Sequence, residues 1–495
     1  MILAVKSLIM LVLLFSGAIW FVRRAVFTTP DDRVTLDALK TPVFAILTLA
    51  FMAQNFWLYV VLGVYSVWRI KEKINPAFIL AAVLFCVPLY QKVVYLPGGD
   101  GTFLSVSLQY AVIWLLFYKV AGSQEGRAKG EGKYVRSATD VFLLAWVAYQ
   151  MVFLLGASTL THTIKTSISE MTQSYFLYFI VSRAITTKSE LVLVVKVFAF
   201  LCLALALVGV TESVRHWLLY SPIEAVLSIS KVAIANYLER DSIGLLRSLG
   251  TAGHPIILGA ILGTGVLFWI GLQDDEKSSL TWVRAALAVM VIGLLSTFSR
   301  GPWLATAAGY VTYVMASKDI LKQLTRFIVV VGIMAGLLVT VPGGEKIIDM
   351  LPFVGHSESG SVDYRSMLLN ICLYLFWENP WFGSTDYMSE PIMQSLVQGQ
   401  GIIDMVNTYL SIAMSGGFVG LSIYLGIFLS ALIPLGRELR KTNDKIHRAV
   451  FAAMVCLLIT LATVSSINSL PLLCWMLLGL VKASTWVILK EAQVG

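Results

Sequence analysis

Apolar residues recur in long blocks along nearly the whole chain, separated by short stretches rich in charge, proline or glycine. A block of about 20 apolar residues is enough to cross a hydrocarbon core roughly 30 Å thick. Lipid offers the backbone no hydrogen-bond partner, so blocks of this kind must be helical, and the two-residue alternation of a membrane β-barrel is absent. The pattern predicts an all-α fold, a polytopic transmembrane helix bundle of about 14 spans, with 12–14 as the range. The spans start near Ile2, Pro42, Pro76, Phe103, Asp140, Ser174, Leu191, Pro255, Trp282, Pro302, Phe327, Phe418, Ala449 and Pro471. The second run is overlong and carries Gln54-Asn55 in its middle, where it can break; the sixth, Ser174 to Thr187, is short and contains Arg183. The first, Ile2 to Phe21, ends in Arg23-Arg24 without a small-residue cleavage site and reads as an uncleaved helix.

Charge between the blocks sets orientation. Arg69, Lys71 and Lys73 crowd one loop, and Lys119, Arg127, Lys129, Lys133 and Arg136 another. Lys318, Lys322 and Arg326 mark a third, and Arg437, Arg440, Lys441, Lys445 and Arg448 a fourth. Alternating topology puts all four on one side, which the positive-inside rule makes cytoplasmic, with both termini. Arg23 and Arg24 fall on the opposite side; either the second span is a re-entrant hairpin, or Asp31, Asp32 and Asp37 offset their charge. Two long loops remain on the outer side, at about 212–254 and about 342–406, and long loops in compact proteins tend to be functional. Both are expected to carry short helices, and Ser221 to Leu246 has the spacing of an amphipathic helix lying on the bilayer. The domain reading is residues 1–139 as N-terminal transmembrane helices and 140–495 as a membrane domain bearing both loops.

Composition sharpens this picture. Of 495 residues 58% are hydrophobic and 13% charged, too few charges for a soluble protein of this length. Lys plus Arg number 37 against 29 Asp plus Glu; in a polytopic chain this excess holds loops inside and does not point to nucleic acid. Cys86, Cys202, Cys372, Cys456 and Cys474 lie in or beside apolar runs without metal-ligand spacing and read as small core residues. Lys6 and Lys196 lie near predicted span ends, where they can snorkel.

Charges close to membrane depth are costly, so the outer-face arginines need a reason. In Arg247-Ser-Leu-Gly250-Thr-Ala-Gly253-His254-Pro255 the glycines allow tight turns and the proline suits the first turn of a helix. The helix's positive end, with Arg247 and His254 beside it, can form an anion site; a glycine turn with a snorkelling arginine is the alternative. In Ser299-Arg300-Gly301-Pro302-Trp303, Arg300 opens a helix, where its charge opposes the dipole; it serves either an anionic ligand or lipid headgroups, with Trp303 in the aromatic belt. Asp363-Tyr364-Arg365 precedes an apolar helix that Asp363 could cap. In Gln398-Gly-Gln-Gly-Ile-Ile-Asp404-Met-Val-Asn407-Thr-Tyr409, a helix would put Asp404, Asn407 and Tyr409 on much of one face, lining a cavity. Arginines gathered outside suit a diphosphate, because guanidinium forks match phosphate oxygens at any working pH. No P-loop, paired-carboxylate metal site, Cys/His zinc spacing or serine nucleophile motif is present.

The order Arg247…Gly250…His254-Pro255, Ser299-Arg300-Gly301-Pro302-Trp303, Tyr364-Arg365, Pro380-Trp381-Phe382-Gly383, then Asn407-Thr-Tyr409-Leu410 with Gly416-Gly417, resembles the O-antigen ligase and Wzy-type polysaccharide polymerase superfamily of bacterial inner membranes. The resemblance covers roughly residues 140–495. It implies an inverting, metal-independent membrane glycosyltransferase of the GT-C type, without cofactor. Its donor would be an undecaprenyl-diphosphate-linked glycan, and its active site would face the periplasm. Arg300, Arg247 and Arg365 would bind the diphosphate, Arg365 matching the arginine ahead of the family's Pro-x-x-Gly turn. Family ligases carry His-Asn where this chain has Val406-Asn407. The nearest replacement base is Asp404, with His254 second, and Asn407 and Tyr409 would orient sugar. Asp-x-Val-Asn-Thr-Tyr-Leu is similar to a pattern of exopolysaccharide polymerases. The resemblance therefore favours joining repeat units into exopolysaccharide, capsule or O-antigen over ligation to lipid A core. The bilayer, a flippase and a chain-length regulator of the same pathway are the implied partners. A lipid-linked glycan flippase or exporter is the competing class, but it would need charge deep in the bundle and on both sides.

Overall fold

The computed structural model describes residues 2–70, 74–95, 102–127, 137–157, 159–229, 239–240, 244–274, 278–340, 359–397 and 401–494. The chain is almost entirely helical. The first half runs α1 (Ile2–Ala25), α2 (Pro30–Met52), α3 (Phe56–Trp68), α4 (Pro76–Cys86), α5 (Leu108–Arg127), α6 (Ala138–Ala157), α7 (Leu160–Met171), α8 (Leu177–Ala184), α9 (Lys188–Arg215) and α10 (Pro222–Val226). The second half runs α11 (Pro255–Gly271), α12 (Leu280–Leu295), α13 (Arg300–Met315), α14 (Ile320–Thr340), α15 (Ser359–Phe376), α16 (Pro391–Gln394), α17 (Thr408–Leu439), α18 (Lys445–Leu461) and α19 (Leu470–Val494). Two small antiparallel pairs interrupt them, β1 (Lys92–Tyr95) with β2 (Thr102–Val106), and β3 (Glu239–Arg240) with β4 (Leu245–Leu246).

Among the described residues, six helices are long and apolar enough to cross a membrane: α1, α2, α6, α9, α17 and α19. α3, α4, α11 and α12 are apolar but shorter. α9, α11 and α19 form the buried centre, with α12, α13 and α18 packed around α9 and α11. Apolar side chains also cover the outside: Leu13 and Trp20 on α1, Val61 and Trp68 on α3, Val152 on α6, and Leu425, Leu429 and Ile433 on α17 are all exposed. An exterior this apolar is stable only against lipid, so the chain is a multi-pass membrane protein.

Several expectations need correcting. Most of the expected span starts fall within helices, and by length and composition alone six of the described helices qualify as spans. The overlong second run breaks where Gln54 turns left-handed (φ 51°) and the Asn55 side chain accepts from the amides of Trp57 and Leu58. Phe103 lies in β2, so the fourth run becomes helical only at Leu108. Lys196 does not snorkel: it is buried and its Nζ donates to Asp32 at 3.1 Å. Arg23 and Lys40 both pair with Asp37, which places carboxylate beside the discordant Arg23. Arg183 pairs with Asp140, answering a buried cation with a buried anion. Ser221 to Leu246 is not one helix, since α10 ends at Val226 and Leu245-Leu246 is a strand; residues 230–238 and 241–243 lie outside the described residues. So do Lys71, Lys73, Lys129, Lys133, Arg136, much of the 342–406 loop (residues 342–358) and residues 398–400.

The Pro380–Gly383 turn and the Gly416-Gly417 pair form one structural lock. Gly417 breaks α17 with φ 60° and ψ −161°. The amides this exposes are taken by the turn: Phe418 N donates to Pro380 O at 2.8 Å and Val419 N to Trp381 O at 3.1 Å. Ser384 N in return donates to Met414 O at 2.9 Å, and the Tyr149 hydroxyl on α6 donates to Gly416 O at 2.7 Å. A Cβ on Gly417 would strike the Trp381 carbonyl, and one on Gly383 would strike Met414 O. The break folds the start of α17 back, so that Tyr409 and Tyr424 rings lie 6.3 Å apart. Gly417→Ala combines left-handed strain with this clash and should cost at least about 2 kcal/mol, lowering the thermal midpoint in detergent. Gly17→Ala on α1, where a Cβ meets nothing, should not lower it.

Candidate functional site

Four loops meet at one end of the bundle: residues 247–254 before α11, 296–300 between α12 and α13, 401–407 before α17, and 462–469 between α18 and α19. The first two are stitched together. Ser248 N donates to Ser296 O at 3.2 Å, and the hydroxyls of Ser248 and Ser296 are 3.0 Å apart. Arg247 reaches across, its Nε donating to Thr297 O at 3.3 Å and its Nη2 to Ser299 Oγ at 3.0 Å. Two of its five donors therefore fix the turn that delivers Arg300. Arg300 is the first residue of α13, as its sequence position implied, and is half-buried. Trp303 is tied to α12 through Nε1 donating to Leu294 O at 2.9 Å, so its polar edge serves the helix pair.

The 247–254 turn hangs on a residue that the sequence reading passed over. Glu212, near the end of α9 and 1% exposed, accepts three backbone bonds: from Leu219 N at 3.0 Å, Leu249 N at 2.9 Å and Gly250 N at 2.8 Å. Its signal in the sequence was a carboxylate closing a long apolar run, which calls for a partner.

His254 caps α11, its Nδ1 accepting from Ile256 N at 3.2 Å. That bond requires an unprotonated Nδ1 and places the ring proton on Nε2. Burial and the neighbouring Arg247 cation push His254 down to about 4, against a smaller pull in the other direction from the Asp404 carboxylate. His254 is therefore neutral at pH 7 and presents an N–H; the lone pair a general base would use is engaged.

Asp404, Asn407 and Tyr409 do not share a helix face, because α17 begins only at Thr408. Asp404 instead makes a side-chain turn, Val406 N donating to its Oδ1 at 3.1 Å, and Ser465 Oγ donates to the same oxygen at 2.9 Å. Its side chain is otherwise exposed. Asn407 is the N-cap, Oδ1 accepting from Leu410 N at 3.1 Å. Tyr409, expected to orient sugar, is turned into the bundle: its hydroxyl donates to Leu458 O at 2.8 Å. Asp363 is no cap, since Asp363, Tyr364 and Arg365 lie inside α15. α15 still joins the site, the Tyr364 hydroxyl donating to Asp404 O at 3.0 Å, while Arg365 is exposed beside it.

The 462–469 loop was missed altogether, although Thr463-Val-Ser-Ser-Ile-Asn-Ser is a polar island between two apolar helices. It holds Asp404 through Ser465, accepts from Thr408 Oγ1 at Val464 O (2.7 Å), and packs Thr463 against Gly301 and Asn468 against Gly253. Phe298, Val406 and Asn468 each have positive φ, of 45°, 40° and 51°. Left-handed non-glycine residues cost about 1–3 kcal/mol each and tend to gather at working sites. Among the described residues no three His, Cys, Asp or Glu side chains group as a metal site.

A sequence model of the family described as O-Antigen ligase matches residues 285–425. The match takes in Arg300, Arg365, Asp404, Asn407 and Tyr409 and stops short of Arg247 and His254. It supports the resemblance to the O-antigen ligase and polymerase superfamily and, with it, a membrane enzyme of that type. No curated protein matches the chain.

Two outcomes follow. Glu212→Ala leaves three buried amides without an acceptor and should destabilise by about 3 kcal/mol or more, read as a lowered thermal midpoint. His254 should stay neutral until the pH falls towards about 4. Because its folded pKa lies below its unfolded value near 6.5, stability should fall as pH drops through that interval. Arg247→Ala should shift the His254 titration upward in a histidine-selective NMR experiment.

Proposed function

We propose that the chain is an inverting glycosyltransferase that polymerises undecaprenyl-diphosphate-linked oligosaccharide repeat units at the periplasmic face of a bacterial inner membrane, without metal or cofactor. The observation that carries this reading is the meeting of Arg247 and the Ser299-Arg300 turn, with the Asp404 carboxylate and Arg247 both close enough to His254 to act on its charge.

The acceptor hydroxyl attacks the donor's anomeric carbon from the face opposite the diphosphate. Its oxygen forms the new glycosidic bond, its proton passes to Asp404, and the anomeric carbon–phosphate oxygen bond breaks. The bonding pair leaves with undecaprenyl diphosphate, and the anomeric configuration inverts. Negative charge grows on the leaving oxygen, and the Arg300 and Arg247 guanidinium groups stabilise it; preorganised cations act there without reorganisation. Arg365, on α15 beside the Tyr364 that binds Asp404, joins them on the distal phosphate. His254 acts through a hydrogen bond from its Nε2–H to an oxygen and transfers no proton. Ser465 orients Asp404, and Asn407, fixed by its cap bond, offers its amide N–H groups to sugar. Tyr409 belongs to the packing of α17.

The chain in nanodiscs, given a polyprenyl-diphosphate-linked repeat unit with EDTA, should produce a ladder of longer glycans and free polyprenyl diphosphate. Arg300→Ala should lower the rate by about 100-fold or more, and Asp404→Asn by about 100-fold or more, with both proteins still in the membrane. Transfer only when lipid A core is supplied would make the enzyme a ligase. Movement of the lipid between leaflets without product would make it a transporter.

A further inference from the structure

The turn that presents Arg247 and His254 has a second side. There Leu249 to Gly253 form one wall of a cleft completed by Pro88–Tyr90, the loop around Leu218–Glu224, and Asn468. The cleft differs in chemistry from the arginine side. Glu212 and Glu224 line it, and no Lys, Arg or His does among the described residues. A diphosphate would be repelled there. Ser221, Thr251 and Asn468 offer hydroxyls and an amide, Glu224 offers carboxylate oxygens, and Leu89 and Leu218 offer apolar surface. This mixture suits the ring of a neutral sugar, with hydroxyls at its edge and C–H groups on its faces.

The walls are rigid before any ligand arrives. The Tyr90 hydroxyl donates to Tyr220 O at 3.1 Å, the Tyr220 hydroxyl to Cys86 O at 3.1 Å, and Ser221 Oγ to Leu218 O at 2.8 Å. Glu212 braces the shared wall from beneath through Leu249 and Gly250. Preorganisation of this kind lowers the ordering cost of binding. One loop borders both the cleft and Asp404. Asn468 lies on the cleft's rim against Gly253, and the same loop carries Ser465, which holds Asp404.

We propose that this cleft is the acceptor subsite and takes the neutral, non-reducing end of the glycan that Asp404 activates; the assignment to an acceptor rests on the glycosyltransferase reading above. The 247–254 turn then separates the two reacting parts, with the donor's diphosphate on its arginine side and the acceptor's neutral sugar end on its carboxylate side.

The test uses the full chain in nanodiscs and, as probe, the repeat-unit oligosaccharide released from its lipid by mild acid. Binding is followed by saturation-transfer NMR, alongside binding of polyprenyl diphosphate. Ser221→Trp fills the cleft from its wall and should weaken oligosaccharide binding by about tenfold or more, with polyprenyl diphosphate binding unchanged. Undiminished oligosaccharide binding in Ser221→Trp overturns the cleft. If the tryptophan variant loses both ligands, Glu224→Gln decides: weaker oligosaccharide binding alone supports the cleft, and equal binding overturns it. The size-resolved transfer assay keeps the two claims apart. A glycan ladder with oligosaccharide binding indifferent to both substitutions removes the cleft and keeps the enzyme. Cleft-dependent binding without any transfer product keeps a saccharide site and removes its role as acceptor in catalysis.

Discussion

Glu212 sits near the end of a long apolar helix with its carboxylate out of solvent, and three backbone N–H groups from two loops converge on it. A charge this buried is tolerable only when fully hydrogen-bonded, and amides this buried need an acceptor. Each side of the arrangement therefore requires the other. The Leu249-Gly250 amides fix the turn, the turn fixes Arg247, and Arg247 in turn fixes residues 297–299, from which Arg300 projects. The other face of the same turn forms the charge-poor cleft. One buried acidic side chain thus braces a turn with Arg247 on one side and, on the other, a cleft lined by no cation among the described residues.

The same rule operates wherever a helix stops inside the bundle. Gly417 frees amides that the Pro380–Gly383 turn accepts, and the Asp404–Asn407 segment is satisfied by Ser465, Val464 and its own side-chain turn. Irregular backbone at this depth persists only because loops supply one another's missing partners. Phe298, Val406 and Asn468 hold left-handed conformations within these loops, so strain accumulates where the chemistry is assigned. Val406 is the sharpest case, a β-branched residue at φ 40°, in the position where family ligases carry histidine.

Apolar run length and flanking charge made the membrane class legible, and tight glycine and proline spacing made the arginine turns legible, since both signals are local. Arg300 at the start of a helix and the break at Gln54-Asn55 follow from the same local chemistry. What escaped depends on contacts between distant segments. Nothing near Tyr409 reveals that Leu458 takes its hydroxyl, and nothing near Asp404 reveals Ser465. The Asp404–Tyr409 stretch looked helical by spacing, but the Asn407 cap starts the helix later. Asp363 looked like a cap and lies within a helix. The Pro-Trp-Phe-Gly and Gly-Gly motifs carry the resemblance as separate pieces of sequence and form one lock in the structure, each shaped by the other's backbone.

The central claim is that Arg247 and Arg300 together hold the donor's diphosphate at the junction of their two turns. A cryo-electron microscopy map of the chain in a nanodisc with a polyprenyl-diphosphate-linked repeat unit tests this directly. The account predicts diphosphate density between the Arg247 and Arg300 guanidinium groups, with the anomeric carbon facing Asp404. Diphosphate density resolved elsewhere, with the two arginines contacting only protein, would contradict it.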